Sequence, residues 1–325
     1  MMKNLFKLIE FLIFGFCILF SLIIALDKSY SSVVLDGIKL WFACVLPSLF
    51  PYFFITAILS SLKVTSKVGS FCSPLTKRLF NVGGAVGYAY FMSLISGYPI
   101  GAKIVSDLKS KNALSDAESV RASALCSTSS PMFMISSVGA IMFNSSRFGI
   151  LLFLTHLICS IIVGVIFSFY KRAQKPNKMP YLLNNSVDNI LYESAYSSVV
   201  SVLVVGGLIT IFYLLTQILY DFHLLDGIIW FFSLIFKDEN LATGLSLGLF
   251  ECTNGLKYLS KSKGQILSLP LCAFLCGFGG ISIIMQSVAY LKKAKIKTTA
   301  LVFSKLLSAV LNFIVGLILA LCFLN

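Results

Sequence analysis

Ionisable side chains are scarce in this sequence. Only 12% of its 325 residues are Asp, Glu, Lys or Arg, about half of the roughly 25% carried by soluble proteins. Together with 58% hydrophobic residues and a mean hydropathy of +0.91, that shortage excludes a soluble globular domain. Acidic residues are the scarcest, 13 against 26 Lys and Arg. The resulting charge of +13 suggests nucleic acid, but no basic tract with interleaved aromatics on a soluble domain supports it. Lys and Arg gather instead in short connections between apolar runs, where they act as topology signals. Histidine is nearly missing: His156 stands alone in an apolar run, and His223 lies in a loop beside Asp221 and Asp226. The nine cysteines are scattered among apolar residues, where a thiol behaves as a small hydrophobe. Cys272 and Cys276 are four apart, a helical spacing rather than a CxxC pattern, so neither a metal centre nor a disulfide framework is indicated. No HExxH, GxSxG or Walker loop occurs, and Gly83-Gly84 and Gly279-Gly280 lack the strand–turn–helix setting of a dinucleotide fingerprint. The chain reads as a non-enzyme that calls for no cofactor.

What is abundant is apolar sequence in long runs. Residues 8–26, 38–62, 148–170, 199–220 and 298–324 each meet the requirement of about 20 mainly apolar residues for crossing a bilayer. The first follows Lys3 and Lys7 as a signal peptide would. Its apolar region is too long, however, and no small-x-small cleavage site precedes Asp27, so a retained signal-anchor over residues 1–34 is expected. With the N-terminus inside, residues 38–62 return to a loop bearing Lys63, Lys67, Lys77 and Arg78. Residues 148–170 must also end inside, because Lys171-Arg172 and a polar linker over 171–190 follow. Of the two apolar stretches between, 82–95 and 122–143, one must therefore be re-entrant. The first is the candidate: it is short, contains Gly83, Gly84 and Gly87, and ends in a Ser-Gly-Tyr-Pro turn.

The order of elements repeats. A span, a short apolar piece, a Gly-x-Lys break, an amphipathic segment, a second break and a final span occur over residues 35–170 and again over 191–325. A cytoplasmic linker between them starts the second unit in the opposite orientation. The fold class expected is an all-α polytopic membrane protein of about seven spanning helices, plus re-entrant or broken segments, in two inverted repeats.

The breaks are the candidate functional elements. Backbone at membrane depth can leave the helix only where its freed polar groups face protein, a cavity or a ligand. Paired interruptions in two halves point to a transporter's binding site. The first pair is Ser96-Gly97-Tyr98-Pro99-Ile100-Gly101-Ala102-Lys103 with Ser127-Thr128-Ser129-Ser130-Pro131; the second is Glu251-Cys252-Thr253-Asn254-Gly255-Leu256-Lys257 with Gly277-Phe278-Gly279-Gly280. Glu251 borders a break at the end of an apolar stretch. It reads either as a carboxylate for a coupling proton or a substrate donor, or as an interfacial group satisfied by Lys257 or water. Lys103 and Lys257 read either as attractors of a substrate carboxylate or as snorkelling helix-end anchors. Ser129 or Ser130 can cap a helix that Pro131 begins, and its exposed N–H groups would favour an anion. Gly279-Gly280 would offer bare backbone in the equivalent place. Substrate-binding candidates are thus Ser96, Gly97, Tyr98, Gly101, Lys103, Thr128, Ser129, Ser130, Pro131, Glu251, Thr253, Asn254, Gly255, Gly279 and Gly280. The partners expected are the lipid bilayer and a small anionic solute, and no nucleic acid. Proton or sodium coupling and a homo-oligomer are left open.

Leu46-Pro47-Ser48-Leu49-Phe50-Pro51, the Ser96–Lys103 element and Ser129-Ser130-Pro131-Met132-Phe133 together resemble the YlbJ/SpoVV-type sporulation integral membrane proteins, which carry the nucleoside recognition, or Gate, domain. The likeness runs from about residue 35 to about 320 and makes residues 35–170 and 191–325 Gate-like repeats. One departure stands before the Ser-Pro turn, where the family would carry amides and this chain has Cys126-Ser127-Thr128. The resemblance implies a multi-pass protein made in the mother cell and placed in the outer forespore membrane. It also implies movement of dipicolinate, a planar dianion, towards the forespore. A nucleoside or other polar-metabolite carrier, and a non-transporting scaffold for the spore cortex, are the alternatives.

Overall fold

The computed structural model describes residues 14–15, 17–61, 64–173, 189–262 and 265–324. Most of the expected linker and the start of the signal-anchor lie outside the described residues. Among the described residues there are helices and turns and no strand.

After α1 (Cys17–Leu26), α2 (Ser29–Leu40) passes through a π-helical turn, Trp41–Val45, into α3 (Leu46–Ser61). Pro47 and Pro51 explain the widened turn, because each lacks an N–H and frees a carbonyl of the preceding turn. The Cys44 carbonyl accepts from Ser48 at 3.2 Å and also from Ser137 of another segment. α4 (Val64–Phe80) and α5 (Gly84–Ser96) follow, then α6 (Ile100–Ser110), α7 (Asp116–Leu125), a π-helical segment Phe133–Met142, and α8 (Ser146–Ser168). Beyond the linker come α9 (Ile190–Asp221), α10 (Asp226–Ile235), α11 (Glu239–Gly248), α12 (Cys252–Leu259), α13 (Gln265–Phe278), α14 (Gly280–Lys293) and α15 (Thr299–Phe323).

Among the described residues five stretches are long and apolar enough to cross a membrane: Ser29–Leu59, Ser146–Ser168, Ile190–Asp221, Ile266–Lys293 and Thr299–Phe323. Lys67–Phe80 and Gly84–Ser96 would add a sixth by composition, but they meet at 91°. The outward faces fit lipid. On α8, Ile150, Leu154, Ile158 and Ile161 are exposed; on α15, Leu306, Val310, Ile314 and Ile318 are exposed. Apolar stripes of that length at helical spacing would be a liability in water and are ordinary in a bilayer. The protein is a polytopic all-α membrane protein.

Contacts fix which ends share a face. Asn81 donates to the Arg172 carbonyl and Arg121 to that of Tyr170, at 3.1 and 2.9 Å. Phe80, Leu108, Leu114, Leu291 and Leu301 share one buried cluster with them. That is the linker face. At the opposite face Arg147 donates to the Phe323 carbonyl at 2.7 Å. α5 therefore enters from the linker face and α6 returns to it, whereas α7 and the π segment continue across. Ser115 caps α7 by accepting from Glu118 N–H, while the Glu118 carboxylate accepts from Gly83 N–H at 2.7 Å, at the start of α5. In the second half α11 and α12 form a hairpin from the opposite face, and α13 continues through Gly279 into α14. Helix α10 buries none of its residues and exposes Trp230, Phe231, Leu234 and Ile235, which suits a helix lying along the membrane surface.

Candidate functional site

The breaks pack on one another in pairs. In the first, Gly97 has φ +77°, a conformation that glycine adopts without strain. The Tyr98–Pro99 bond is cis. A Cβ on Gly101 would lie 1.8 Å from the Cys126 carbonyl oxygen, so only glycine lets the first break approach the second. Ser93 Oγ joins them, donating to the Cys126 carbonyl at 2.7 Å and pairing with Thr128 Oγ1 at 2.7 Å. Ser96 Oγ pairs with Thr56 of α3.

In the second break Ser130 Oγ accepts from Phe133 N–H at 3.2 Å, capping the helix that opens at Pro131. Ser129 N–H donates to His156 Nε2 at 3.0 Å. That bond assigns the imidazole its proton on Nδ1. In the third break the Glu251 carboxylate is buried and accepts from Asn254 N–H at 2.7 Å, as the N-cap of α12. Asn254 Nδ2 in turn donates to Thr216 of α9 at 3.3 Å. Gly255 sits against Gly248, where a Cβ would come within 2.3 Å. At the fourth break the first N–H groups of α14 do not stand bare as the Gly279-Gly280 sequence suggests. Ile281 and Ser282 give theirs to the Leu249 and Phe250 carbonyls, at 2.9 and 3.0 Å.

The two pairs meet at a cavity of about 40 Å³. Gly97 and Tyr98 come to it from the first break, Ser129 and Ser130 from the second, Glu251 and Thr253 from the third, and Gln286 from α14 beyond the fourth. Val45, Leu49, Phe133, Val205, Ile209 and Ile283 complete an apolar wall. Tyr98 also donates its hydroxyl to the Cys276 carbonyl, tying the halves together. The volume is room for about three waters at roughly 10–15 Å³ each, so the cavity is contracted below the size of a ring-bearing solute. Ser96, Gly101, Thr128, Pro131, Asn254, Gly255, Gly279 and Gly280 shape the surrounding backbone without lining the cavity.

Lys103 stands elsewhere. It lines a vestibule of about 250 Å³ between α3, α6 and α9, with Asp107, Lys111 and Glu193. Its Nζ donates to Ser197 at 2.7 Å and Ser201 at 3.4 Å. Phe53 and Ile100 border the vestibule too; both are buried and share a cluster with Leu49, placing an apolar plug between vestibule and cavity. Lys257 lies over the Tyr213 ring at 5.7 Å, with no ion pair to Glu251 among the described residues.

The sequence reading passed over two residues. Lys305 is 1% exposed within α15; the signal was a single lysine inside an otherwise apolar span, where charge marks function. His156, set aside for standing alone, is held by the Ser-Pro turn.

No family model and no solved structure matches the chain. It is similar to the sporulation integral membrane protein YlbJ of Bacillus subtilis (strain 168), with 27% identity over 299 residues, covering 84% of this chain and 73% of that protein. That likeness, joined to the all-helical membrane architecture, supports a YlbJ-type sporulation integral membrane protein.

Proposed function

We infer that the protein is a secondary carrier whose two halves are inverted repeats, with the solute held where the four breaks converge. The convergence carries this reading, because broken helices that surround a common cavity at membrane depth are how carriers build a site from backbone. Hydroxyls of Ser129, Ser130 and Thr253, the Gln286 amide and the buried Glu251 carboxylate supply directional partners, and the Val45–Ile209 wall suits a flat ring. Lys103 and Lys111 in the vestibule, set beside Asp107 and Glu193, give a small carboxylate cationic partners at the entrance, with dipicolinate leading and a nucleoside second. Residence in the outer forespore membrane belongs to the same reading. The closed cavity then corresponds to a state in which Phe53 and Ile100 shut the path from the vestibule.

The test is direct binding to the purified full-length protein, comparing dipicolinate with nucleosides, followed by dipicolinate content of spores carrying variants. Glu251→Gln keeps an acceptor for Asn254 N–H and should insert normally, yet lower dipicolinate content by about tenfold, the weight of one lost charged contact. Ser129→Ala should lower it by a smaller factor. Normal content in both, with normal insertion, sinks the carrier reading.

A further inference from the structure

A lysine amine with no carboxylate beside it lies where the four breaks meet. Lys305 Nζ sits 4.1 Å from the centroid of the Tyr98 ring in the first break. It donates to the Ser127 carbonyl of the second at 3.3 Å. A Cβ on Gly279, in the fourth, would come within 3.6 Å of it. Electrostatically it also reaches Cys252, the first residue of α12 after the third break. Among the described residues no Asp or Glu forms an ion pair with it.

The position has a physical logic. α7 ends at Cys126–Ser127 and α13 ends at Phe278–Gly279, so the negative ends of two half-helices are aimed at one point. Carriers with broken helices use such C-terminal ends and freed carbonyls to hold a monovalent coupling cation. Here a tethered amine stands in that place, able to take up a proton instead. A cavity of about 10 Å³ beside it is lined by Ser127, Ser160, Ser304 and Ser308, room for about one water-sized probe. Ser160 continues to Tyr90 of α5 at 2.7 Å, so hydroxyls lead from Nζ towards the linker face.

The other titratable groups around it are few. His156 of α8 faces it, 1% exposed, with the Asn312 side chain of α15 beside it. Cys276 comes from α13, Cys252 from the start of α12 with Glu251 just before it, and Tyr98 from the first break. Helix α7 packs on α15 as well, but Arg121 is spent on the Tyr170 and Lys171 carbonyls and Glu118 on Gly83 N–H. α14 brings Tyr290, Lys292 and Lys293, all towards its C-terminal end.

We propose that Lys305 is the coupling site of the carrier, a proton-binding group whose neutral form lets the four breaks close on it and whose charged form, buried with no carboxylate beside it, drives them apart. Unloading transfers one proton from Nζ to water and leaves an amine; no other bond changes. The inference deepens the carrier reading and rests on it, but its test uses no solute. The readout is alkylation of Cys126, buried in the second break, by N-ethylmaleimide. The full chain, in membranes, keeps that thiol alone and carries Lys305, Lys305→Arg or Lys305→Met. Dividing the Lys305 rate by the Lys305→Arg rate at each pH cancels the thiol's own titration. The ratio should stay near one at about pH 6.5 and fall about fivefold or more by about pH 9.5. Lys305→Met should label more slowly than Lys305→Arg throughout. A flat ratio, or equal protection of Lys305→Met and Lys305→Arg, overturns the proposal. Should Lys305→Arg fail to insert, thermal melts decide between Lys305 and Lys305→Met. The lysine form should gain stability relative to Lys305→Met as pH rises, and parallel profiles overturn the proposal. Failure of dipicolinate to bind would instead count against the solute assignment alone.

Discussion

At the scale of the residue, space decides more than charge. A Cβ at Gly101 would fall 1.8 Å from the Cys126 carbonyl oxygen, whereas at Gly207 nothing lies within 4 Å. Gly101→Ala should therefore cost about 3 kcal/mol or more, beyond ordinary overpacking, because backbone rather than a side chain must move. Gly207→Ala should change little and can gain helix propensity. Thermal melts of the two variants in detergent check the contrast, and equal melts would refute the packing of the first break on the second. Glu251 shows how a residue's role divides. Its place beside a break is legible in the sequence, but its capping of α12 is not, since Glu is not a preferred N-cap, and burial among four breaks is a product of chain crossings some 150 residues apart. Lys305 escaped for another reason. Averaging hydropathy over a span hides one lysine among apolar neighbours, although its rarity is what carries the information.

At the scale of the element, punctuation made the breaks readable. Gly, Pro and Ser clusters inside apolar runs forecast the interruptions, and four of the five runs picked by length overlap spans among the described residues, the fifth span being Ile266–Lys293, which its glycine break divides. The expected run over residues 199–220 proved to be Ile190–Asp221, because Ser194, Ser198 and Ser201 look polar in sequence. Two of these hydroxyls return to their own helix, Ser198 to Ser194 and Ser201 to Ser197, each at 2.6 Å, so they extend the helix at little cost. Use of the α14 N–H groups was not legible, since Leu249 and Phe250 accept from a helix some 30 residues on. The cap at Ser130 was legible from Ser-Ser-Pro. Ser130→Ala should cost about 1 kcal/mol, the usual worth of an N-cap, and should loosen the π segment first. Hydrogen exchange at Phe133 and Met134 is the measure, with unchanged protection as the contrary result.

At the scale of the whole molecule, the vestibule opens at the linker face while the cavity is closed. A thiol placed at Ser197, where Lys103 now donates, should react with a membrane-impermeant reagent from the side on which the linker lies, and residue 180 should label from that same side. Labelling of the two from opposite sides would refute the common face. Labelling of both from outside would overturn the cytoplasmic linker. The positive-inside tally alone could not place the vestibule, because it counts loops and does not see which helices part. The linker-face vestibule has Lys103 at its mouth, but Lys257, at the matching place after the third break, lies folded over Tyr213. On the carrier reading proposed above, halves related by inversion should be able to trade conformations. Giving the second half the first half's shape, and the reverse, would swing Lys257 away from Tyr213 and draw Lys103 in behind α9. The unequal posture of two lysines thus sketches the other end of the working cycle: a molecule open to the far side, written in the same sequence and read with its halves exchanged.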